Sequence, residues 1–555
     1  MTVDPERSSP NTSLVDRIGS RLATAGKNTA STIASDRAIV AFLIAVFILR
    51  TYLSDWNSYW NDEILSVYVH GIWNPTIIDS VVTLSENSVH PPFYQFLLYA
   101  WMSVFGDGEV ATRMLSNVAV TLSGYVLYRI VRHQWSRYLA FVAGASYSVM
   151  AVSMTYAVES RSYGLTMLLA TVSMALLLKT LLALKSSGNW SIGEHWPSVI
   201  GVVLANIGLI MTHYYNLFWL IAQALALLLF ILTERHPRDW WRPLLVGASL
   251  SLAAPLAFLA LWGQVFFGRY GRLSDSFAVE GSAASTTPWD LFIAVVLRQN
   301  LADFRFIVPA VAILLAMVGV LSLWRIFANR QSRLGSRDWL YAILLIWSSL
   351  PLLITYVVFT IAGVERYSLR YFVYSVPPLT ALVVIGIATL VLAIQRKSLA
   401  ATEPGNLVST ATALLIALMV VPAGFDAATD RKHDWRGNVA RVIQVVEASP
   451  ETDYFLVETG FQERSRAIVY FERYSDEIRP DRVFTMAEER SGDYSQLLAS
   501  IPTDADRMLV FFNHLGVKRM PDLPGVLDAE FTRIHAQLDV NGRGYIVWDL
   551  ARPTE

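Results

Sequence analysis

Residues 38–63 read AIVAFLIAVFILRTYLSDWNSYWNDE, and residues 88–94 read SVHPPFY. The first of these stretches is almost continuously apolar until Ser54, then turns polar and ends on the adjacent carboxylates Asp62 and Glu63. From Trp56 to Pro92 the chain carries Asp62, Glu63, Asp79 and Glu86 and no lysine or arginine. Carboxylates at a membrane surface are costly to desolvate, so an acidic loop lodged between apolar segments is read as functional by default. They are also the usual groups for taking a proton from a hydroxyl. The expectation is a catalytic loop with Asp62 and Glu63 at its centre and His90-Pro91-Pro92 at its far end. The bland alternative for Asp62 and Glu63 is a polar loop or a helix N-terminal cap.

Composition supports a membrane chain. Of 555 residues, 54% are hydrophobic and only 16% charged, and the mean hydropathy is +0.42. A soluble domain cannot hide so much apolar sequence, so a polytopic α-helical membrane protein follows. A formal net charge of -1 argues against nucleic acid as a partner. The absence of cysteine removes disulfides, thiolate metal sites and cysteine nucleophiles together.

Residues 1–37 are polar and Ser/Thr-rich, without the short apolar core of a signal peptide. They are expected to form a disordered cytoplasmic tail, basic through Arg17, Arg21, Lys27 and Arg37. Apolar runs follow near 38–54, 110–131, 138–158, 164–184, 197–213, 215–233, 244–266, 306–325, 340–362, 369–394 and 407–424. Each approaches the length needed to cross a hydrocarbon core of roughly 30 Å. One alternating set of connections is basic, with Arg129, Arg132 and Arg137, then Lys179 and Lys185, Arg235 to Arg242, Arg325 to Arg337, and Arg396 with Lys397. The positive-inside rule places these in the cytoplasm and predicts about eleven spans, with eleven to thirteen as the range. The run Phe93 to Phe105 is too short to cross and is expected to lie along the surface.

The opposite connections then form the external face of a multi-pass protein of the cell (inner or plasma) membrane. They are the loop 55–109, Glu159 to Tyr163, Thr212 to Tyr215, the long stretch 267–304 and Gly363 to Arg370. Arg161, Arg269, Arg366 and Arg370 lie here against the positive-inside tendency. A guanidinium is a planar, permanently charged fork suited to phosphate. An anionic substrate site is therefore expected from His90, Arg161, Tyr163, His213, Tyr214 and Arg370, which share this face with the acidic loop. Each has a structural reading too: a rigid Pro-Pro turn at His90, a snorkelling Arg161 paired with Glu159, an interfacial belt at His213 and Tyr214. Glu365 and Arg366 are read in part as a local ion-pair set with Arg370. Arg269 and Arg272 receive no role. Residues 426–555 are charged and mixed, with strand-like pieces at Tyr454 to Val457 and Met508 to Phe512 and helical ones at Arg436 to Ala448 and Tyr494 to Ser500. They predict a small α/β or α+β extracytoplasmic domain following a transmembrane domain over 38–425.

The order of these motifs resembles the GT-C glycosyltransferases, in particular bacterial relatives of protein O-mannosyltransferase and lipid A aminoarabinose transferase (glycosyltransferase family 39-like). The matching pieces are Trp60-Asn61-Asp62-Glu63, the His90-Pro91-Pro92 stretch running to Gly106, Arg113 to Ser116, Glu159 to Leu165, Thr212 to Tyr215, Arg370-Tyr371 and Asp434-Trp435-Arg436. The resemblance implies transfer of a sugar from a polyprenyl-phosphate donor to an acceptor hydroxyl on a glycan, lipid or protein. It puts the family's first-loop carboxylate on Asp62, as general base, and its residue before Pro-Pro on His90, where the aminoarabinose transferases carry lysine. Arg161, Arg370 and His90 would hold the departing phosphate. No metal is required, although Asp62, Glu63 and His90 could supply ligands to a divalent ion. Two other classes stay open: a lipid or glycan transporter or flippase, and a non-catalytic envelope assembly protein.

Overall fold

The computed structural model describes residues 36–56, 58–187, 196–233, 241–277, 336–362 and 369–394, five strands between 454 and 551, and single positions between 417 and 499. The described residues fall into two compact units. One takes the chain up to Thr51, Leu84–Leu97 and Arg113–Thr429; the other takes Tyr52–Thr83, Leu98–Thr112 and Asp430–Glu555.

Helix α1 (Asp36–Ser54) begins the first unit, with Asp36 in its first turn, where a carboxylate complements the positive end of the helix dipole. It thus starts inside the segment expected to be a tail. After α2 to α4, which build the first loop, come α5 (Glu109–Gln134), α6 (Arg137–Val149), α7 (Ala151–Ala157), α8 (Tyr163–Ser187), α9 (Trp196–Thr212), α10 (Leu217–Thr233), α11 (Trp241–Phe277), α12 (Ser336–Ala362) and α13 (Val376–Ile394). Six described helices are long and apolar enough to cross a membrane, and α6 with α7 makes a seventh if that bent pair counts as one span. Helices α9 and α10 are apolar but shorter. The runs at 306–325 and 407–424 lie outside the described residues.

Three expected elements differ in detail. The run 138–158 is broken between α6 and α7 by a 54° bend. At the break Met150 adopts φ -62 and ψ 144, an extended conformation that no helix interior accepts. The run 369–394 opens as a 3-10 turn, Leu369–Ser375, before α13. Pro377 and Pro378 then sit in the first turn of α13, where a missing N–H costs nothing. Helix α11 continues to Phe277, well into the stretch expected to be loop. At 1.5 Å per residue its 37 residues are roughly 55 Å long, more than a hydrocarbon core needs.

A closed polar triangle ties α8, α9 and α10 together. Ser173 Oγ donates to Asn206 Oδ1 at 2.6 Å, Asn206 Nδ2 to Gln223 Oε1 at 2.6 Å, and Gln223 Nε2 to Ser173 Oγ at 2.7 Å. All three side chains are buried. Trp219 of α10 packs against Trp347 and Tyr374 as tilted aromatic pairs, with centroids 5.5 and 5.9 Å away.

The second unit contains the acidic loop. Helix α2 (Asn61–Ile64) runs into a π-helical turn, Leu65–Ile72, followed by α3 (Ile77–Asn87). Helix α4 occupies Phe93–Phe105, the segment expected to be a short surface helix. It ends where Gly106 takes φ 84 and donates its N–H to Met102 O at 2.9 Å, a left-handed cap that glycine reaches without strain. Tyr59 fixes the loop: its hydroxyl lies 2.7 Å from both Asp107 O and Thr112 Oγ1. The strands β1 (Tyr454–Gly460), β2 (Val483–Ala487), β3 (Arg507–Phe512), β4 (Thr532–Gln537) and β5 (Ile546–Ala551) form one mixed sheet in the order β2-β1-β3-β5-β4. β1 pairs parallel with β2 and β3, while β5 pairs antiparallel with β3 and β4.

Candidate anion-binding site

The first unit gathers basic and aromatic side chains at the ends of helices that are distant in sequence. His213 stands at its centre, just after α9 ends at Thr212. Its backbone is extended, φ -159 and ψ 129, and the chain then makes a 3-10 turn, Tyr214–Asn216, into α10. Asn216 holds the break: its Nδ2 donates to Leu209 O at 2.6 Å, and its N–H to His213 O at 3.0 Å. Nδ1 of His213 accepts from the Tyr215 N–H at 3.2 Å. A neutral ring must therefore carry its proton on Nε2. That Nε2 is buried and has no hydrogen-bond partner among the described residues.

Burial lowers the His213 pKa well below its ordinary value of 6.5, and the charges of His90, Arg161 and Arg370 lower it further. The ring is thus neutral at physiological pH, a donor with its proton held inward. His90 faces it with ring centroids 4.8 Å apart. The rigid Pro91-Pro92 turn before α4 carries His90. Its N–H donates to Ser88 Oγ at 3.1 Å, and the neighbouring Val89 carbonyl accepts from Trp262 Nε1 of α11 at 3.3 Å.

Arg161 enters from the turn between α7 and α8. Its N–H donates to Glu159 O at 2.8 Å, and its carbonyl accepts from Ser116 Oγ of α5 at 3.1 Å. Its guanidinium lies 6.0 Å from the ring centroid of Tyr163, at the edge of cation–π range. Arg370 comes from the 3-10 turn before α13, with its guanidinium 5.3 Å over Tyr371. Tyr371 in turn stacks on Tyr215 at 4.4 Å and 8°. Tyr214 lies 5.8 Å from His90 and 5.2 Å from Phe266. Two permanent cations, a second imidazole and a neutral inward N–H thus converge within aromatic walls. Such a set suits an anion with several acceptor oxygens and an apolar substituent.

His90, Arg161, Tyr163, His213, Tyr214 and Arg370, all expected from sequence, meet in this one unit. Tyr156, which interacts electrostatically with both Glu159 and Arg370, was not expected, because it lies inside an apolar run that reads as span. Tyr371 and Phe266 were also missed as site residues; only the Arg370-Tyr371 pairing in the motif pointed to the first. Glu365 and Arg366 lie outside the described residues.

Asp62 and Glu63 belong to the other unit. Glu63 is 1% exposed, and its Oε2 accepts from the Trp60 N–H at 3.2 Å. This is the reciprocal half of a capping box, so part of its acceptor capacity already closes the start of α2. Asp62 is only half-buried on the first turn, and its backbone carbonyl accepts from Ser66 Oγ at 3.0 Å. Among the described residues no group of three or more His, Cys, Asp or Glu side chains could hold a metal ion.

Residues 89–262 match the model of the family described as dolichyl-phosphate-mannose-protein mannosyltransferase. On that segment the chain carries the family's pattern. The mannosyltransferase-like segment contains His90, Arg161, Tyr163, His213 and Tyr214, and its two end residues are the hydrogen-bonded Val89 and Trp262. Asp62, Glu63 and Arg370 lie outside it. No curated protein matches the chain closely enough to count as a relative. Among solved structures, the chain is similar to ArnT from Cupriavidus metallidurans bound to undecaprenyl phosphate, at 14% identity and TM-score 0.49, covering 94% of this chain and 100% of that one. It is also similar to the oligosaccharyltransferase AglB from Archaeoglobus fulgidus in complex with an inhibitory peptide and a dolichol-phosphate, at 12% identity and TM-score 0.45, covering 92% of this chain and 74% of that one.

Proposed function

We propose that the protein is a membrane glycosyltransferase that moves a sugar from a polyprenyl-phosphate donor to an acceptor hydroxyl of a cell-envelope glycan, lipid or protein at the external face. The observation that carries this reading is the convergence of Arg161, Arg370, His90 and the neutral His213 around a buried, unsatisfied Nε2–H. Transfer from a phosphodiester leaves charge on a phosphate oxygen, and donors preorganised around that oxygen stabilise the transition state more than the substrate. The match of residues 89–262 to a family named for a dolichyl-phosphate sugar supports the donor class.

In the proposed step the acceptor oxygen attacks the anomeric carbon while the carbon–oxygen bond to phosphate breaks. The bonding pair leaves on the phosphate oxygen, and the acceptor proton passes to Asp62. Direct displacement inverts the anomeric centre. Asp62 is preferred over Glu63 as base because Glu63 spends acceptor capacity on its own helix start. General-base assistance of this kind is worth roughly 10²–10⁴-fold. The step as written requires no divalent ion.

Purified protein incubated with a panel of polyprenyl-phosphate sugars should release polyprenyl phosphate, and Asp62→Asn, folded and membrane-inserted, should lose that release. Near-normal transfer by Asp62→Asn would remove Asp62 as the base. No turnover with any donor would instead favour a transporter or an assembly protein.

A further inference from the structure

The bend between α6 and α7 holds a charge for which the proposed reaction has no use. Arg50 of α1 is completely buried. Its guanidinium donates to the Ser148 carbonyl, to Met154 Sδ at 3.4 Å and to Thr121 Oγ1 at 3.5 Å. All three partners are neutral, and no carboxylate among the described residues pairs with it. A buried cation without a counter-charge is expensive, most of all within a membrane span. A methionine would fill similar space without that cost, so what distinguishes the arginine here is its donors.

The break supplies the reason for those donors. When a helix stops, the carbonyls of its last turn lose their partners. Inside a membrane no water replaces them, so protein groups must. At this break the Tyr147 carbonyl accepts from the Met150 N–H at 3.4 Å, and the Ser148 carbonyl accepts from Arg50. Helix α7, only seven residues long, then runs directly into the Glu159-Ser160-Arg161 turn. Helix α5 closes the circuit: Thr121 meets Arg50, and Ser116, earlier on the same helix, holds the Arg161 carbonyl. Asn117 between them donates to Phe47 O and Thr51 Oγ1 of α1, both at 3.0 Å.

We infer that Arg50 is a positioning residue for Arg161. It satisfies the broken helix from α1 and so fixes the angle at which α7 delivers the Arg161 turn to the anion cluster. Only the kinetic half of the test below rests on the glycosyltransferase reading.

The chain has no cysteine, so Ser162→Cys gives a single thiol in the Arg161 turn, at a position 8% exposed. Maleimide labelling of the folded, detergent-purified protein should be slow with Arg50 present and on the order of tenfold faster with Arg50→Met, as expected when a local contact opens. Arg50→Lys, which restores a charged donor, should return the slow rate. Equal rates in all three backgrounds overturn the inference. The kinetic half is a cycle of Arg50→Met, Arg161→Ala and the double variant, read as kcat for release of polyprenyl phosphate. Because Arg50 acts through Arg161, adding Arg50→Met to Arg161→Ala should lower kcat by less than about twofold further. Full additivity refutes the coupling. Should Arg50→Met not be recovered folded, Arg50→Gln, polar but two bonds too short to bring its amide to the Ser148 carbonyl that Nη2 reaches, takes its place in both halves with the same criteria. If the wild-type protein releases no polyprenyl phosphate, the glycosyltransferase reading fails while the labelling rates still decide the role of Arg50.

Discussion

Replacing Gly164 with alanine should cost far more activity than one methyl group implies. A Cβ built on Gly164 would stand 2.9 Å from the Ser116 carbonyl oxygen, 3.1 Å from Ser116 Cα and 3.2 Å from Ser116 Cβ. The two nearest atoms are backbone of α5 and cannot swing aside. Reaching an ordinary contact of 3.4 Å from 2.9 Å means that the start of α8 must retreat by about 0.5 Å, an overpacking strain of ~1–3 kcal/mol. The retreat acts on the segment that presents Arg161, whose carbonyl is bound to the same Ser116. A misplacement of 1 Å can cost on the order of 10²-fold in rate, so half that distance corresponds to roughly tenfold. Gly201→Ala is the matched control. Its Cβ would come within 2.7 Å of Leu176 Cδ1, which is nominally closer, but this is the tip of a flexible side chain. The assay is release of polyprenyl phosphate, with thermal unfolding measured on the same samples. Gly164→Ala should lose activity and some stability, and Gly201→Ala neither. Wild-type turnover by Gly164→Ala, or an equal loss in Gly201→Ala, would refute the argument that the α5–α8 approach sets the position of Arg161.

The remaining predictions concern the histidine, the polar triangle and metal. The His213 pKa in the folded protein lies below the ordinary 6.5, so protonation favours the unfolded chain. Stability that depends on the neutral ring is present above about pH 6.5 and lost as pH falls below it. His213→Gln keeps an N–H donor but cannot titrate, so it should flatten that acid-side loss in thermal unfolding between about pH 5 and 7.5; an unchanged slope would assign the loss to other groups. Asn206→Leu opens the triangle with Ser173 and Gln223 and leaves two buried polar groups short of partners, costing about 1–3 kcal/mol by thermal or denaturant unfolding; no loss would mean that the network is energetically idle. Treatment with EDTA should leave sugar transfer unchanged, and a loss restored by Mg²⁺ or Mn²⁺ would bring a metal into the mechanism.

Much of this architecture is legible in the sequence, for identifiable reasons. Spans reveal themselves because a hydrocarbon environment demands a long apolar run, whatever its neighbours are. The limits of α4 were readable because Pro91-Pro92 and Gly106 punctuate it locally. The break at Met150 was not. Nothing in the surrounding apolar run marks it, and it depends on Arg50, which is distant in the chain and supplies a donor to the Ser148 carbonyl. The extension of α11 to Phe277 was hidden for the opposite reason: its polar end resembles a loop in composition although its backbone remains helical.

The candidate site divides in the same way. Residue types and their placement at span ends identify His90, Arg161, His213 and Arg370 as candidates, because a charge at such a position is costly without a use. Only the folded chain decides that their side chains meet and which protonation state follows. The neutrality of His213 arises from burial and from the basic groups His90, Arg161 and Arg370, contributed by separate elements, and its tautomer arises from a Tyr215 N–H that a particular 3-10 turn aims at Nδ1. Composition and local pattern are properties of neighbouring residues, so the sequence alone determined a polytopic chain with candidate site residues at its helix ends. Electrostatic fields and convergent donors depend on distances through space, and those belong to the tertiary structure.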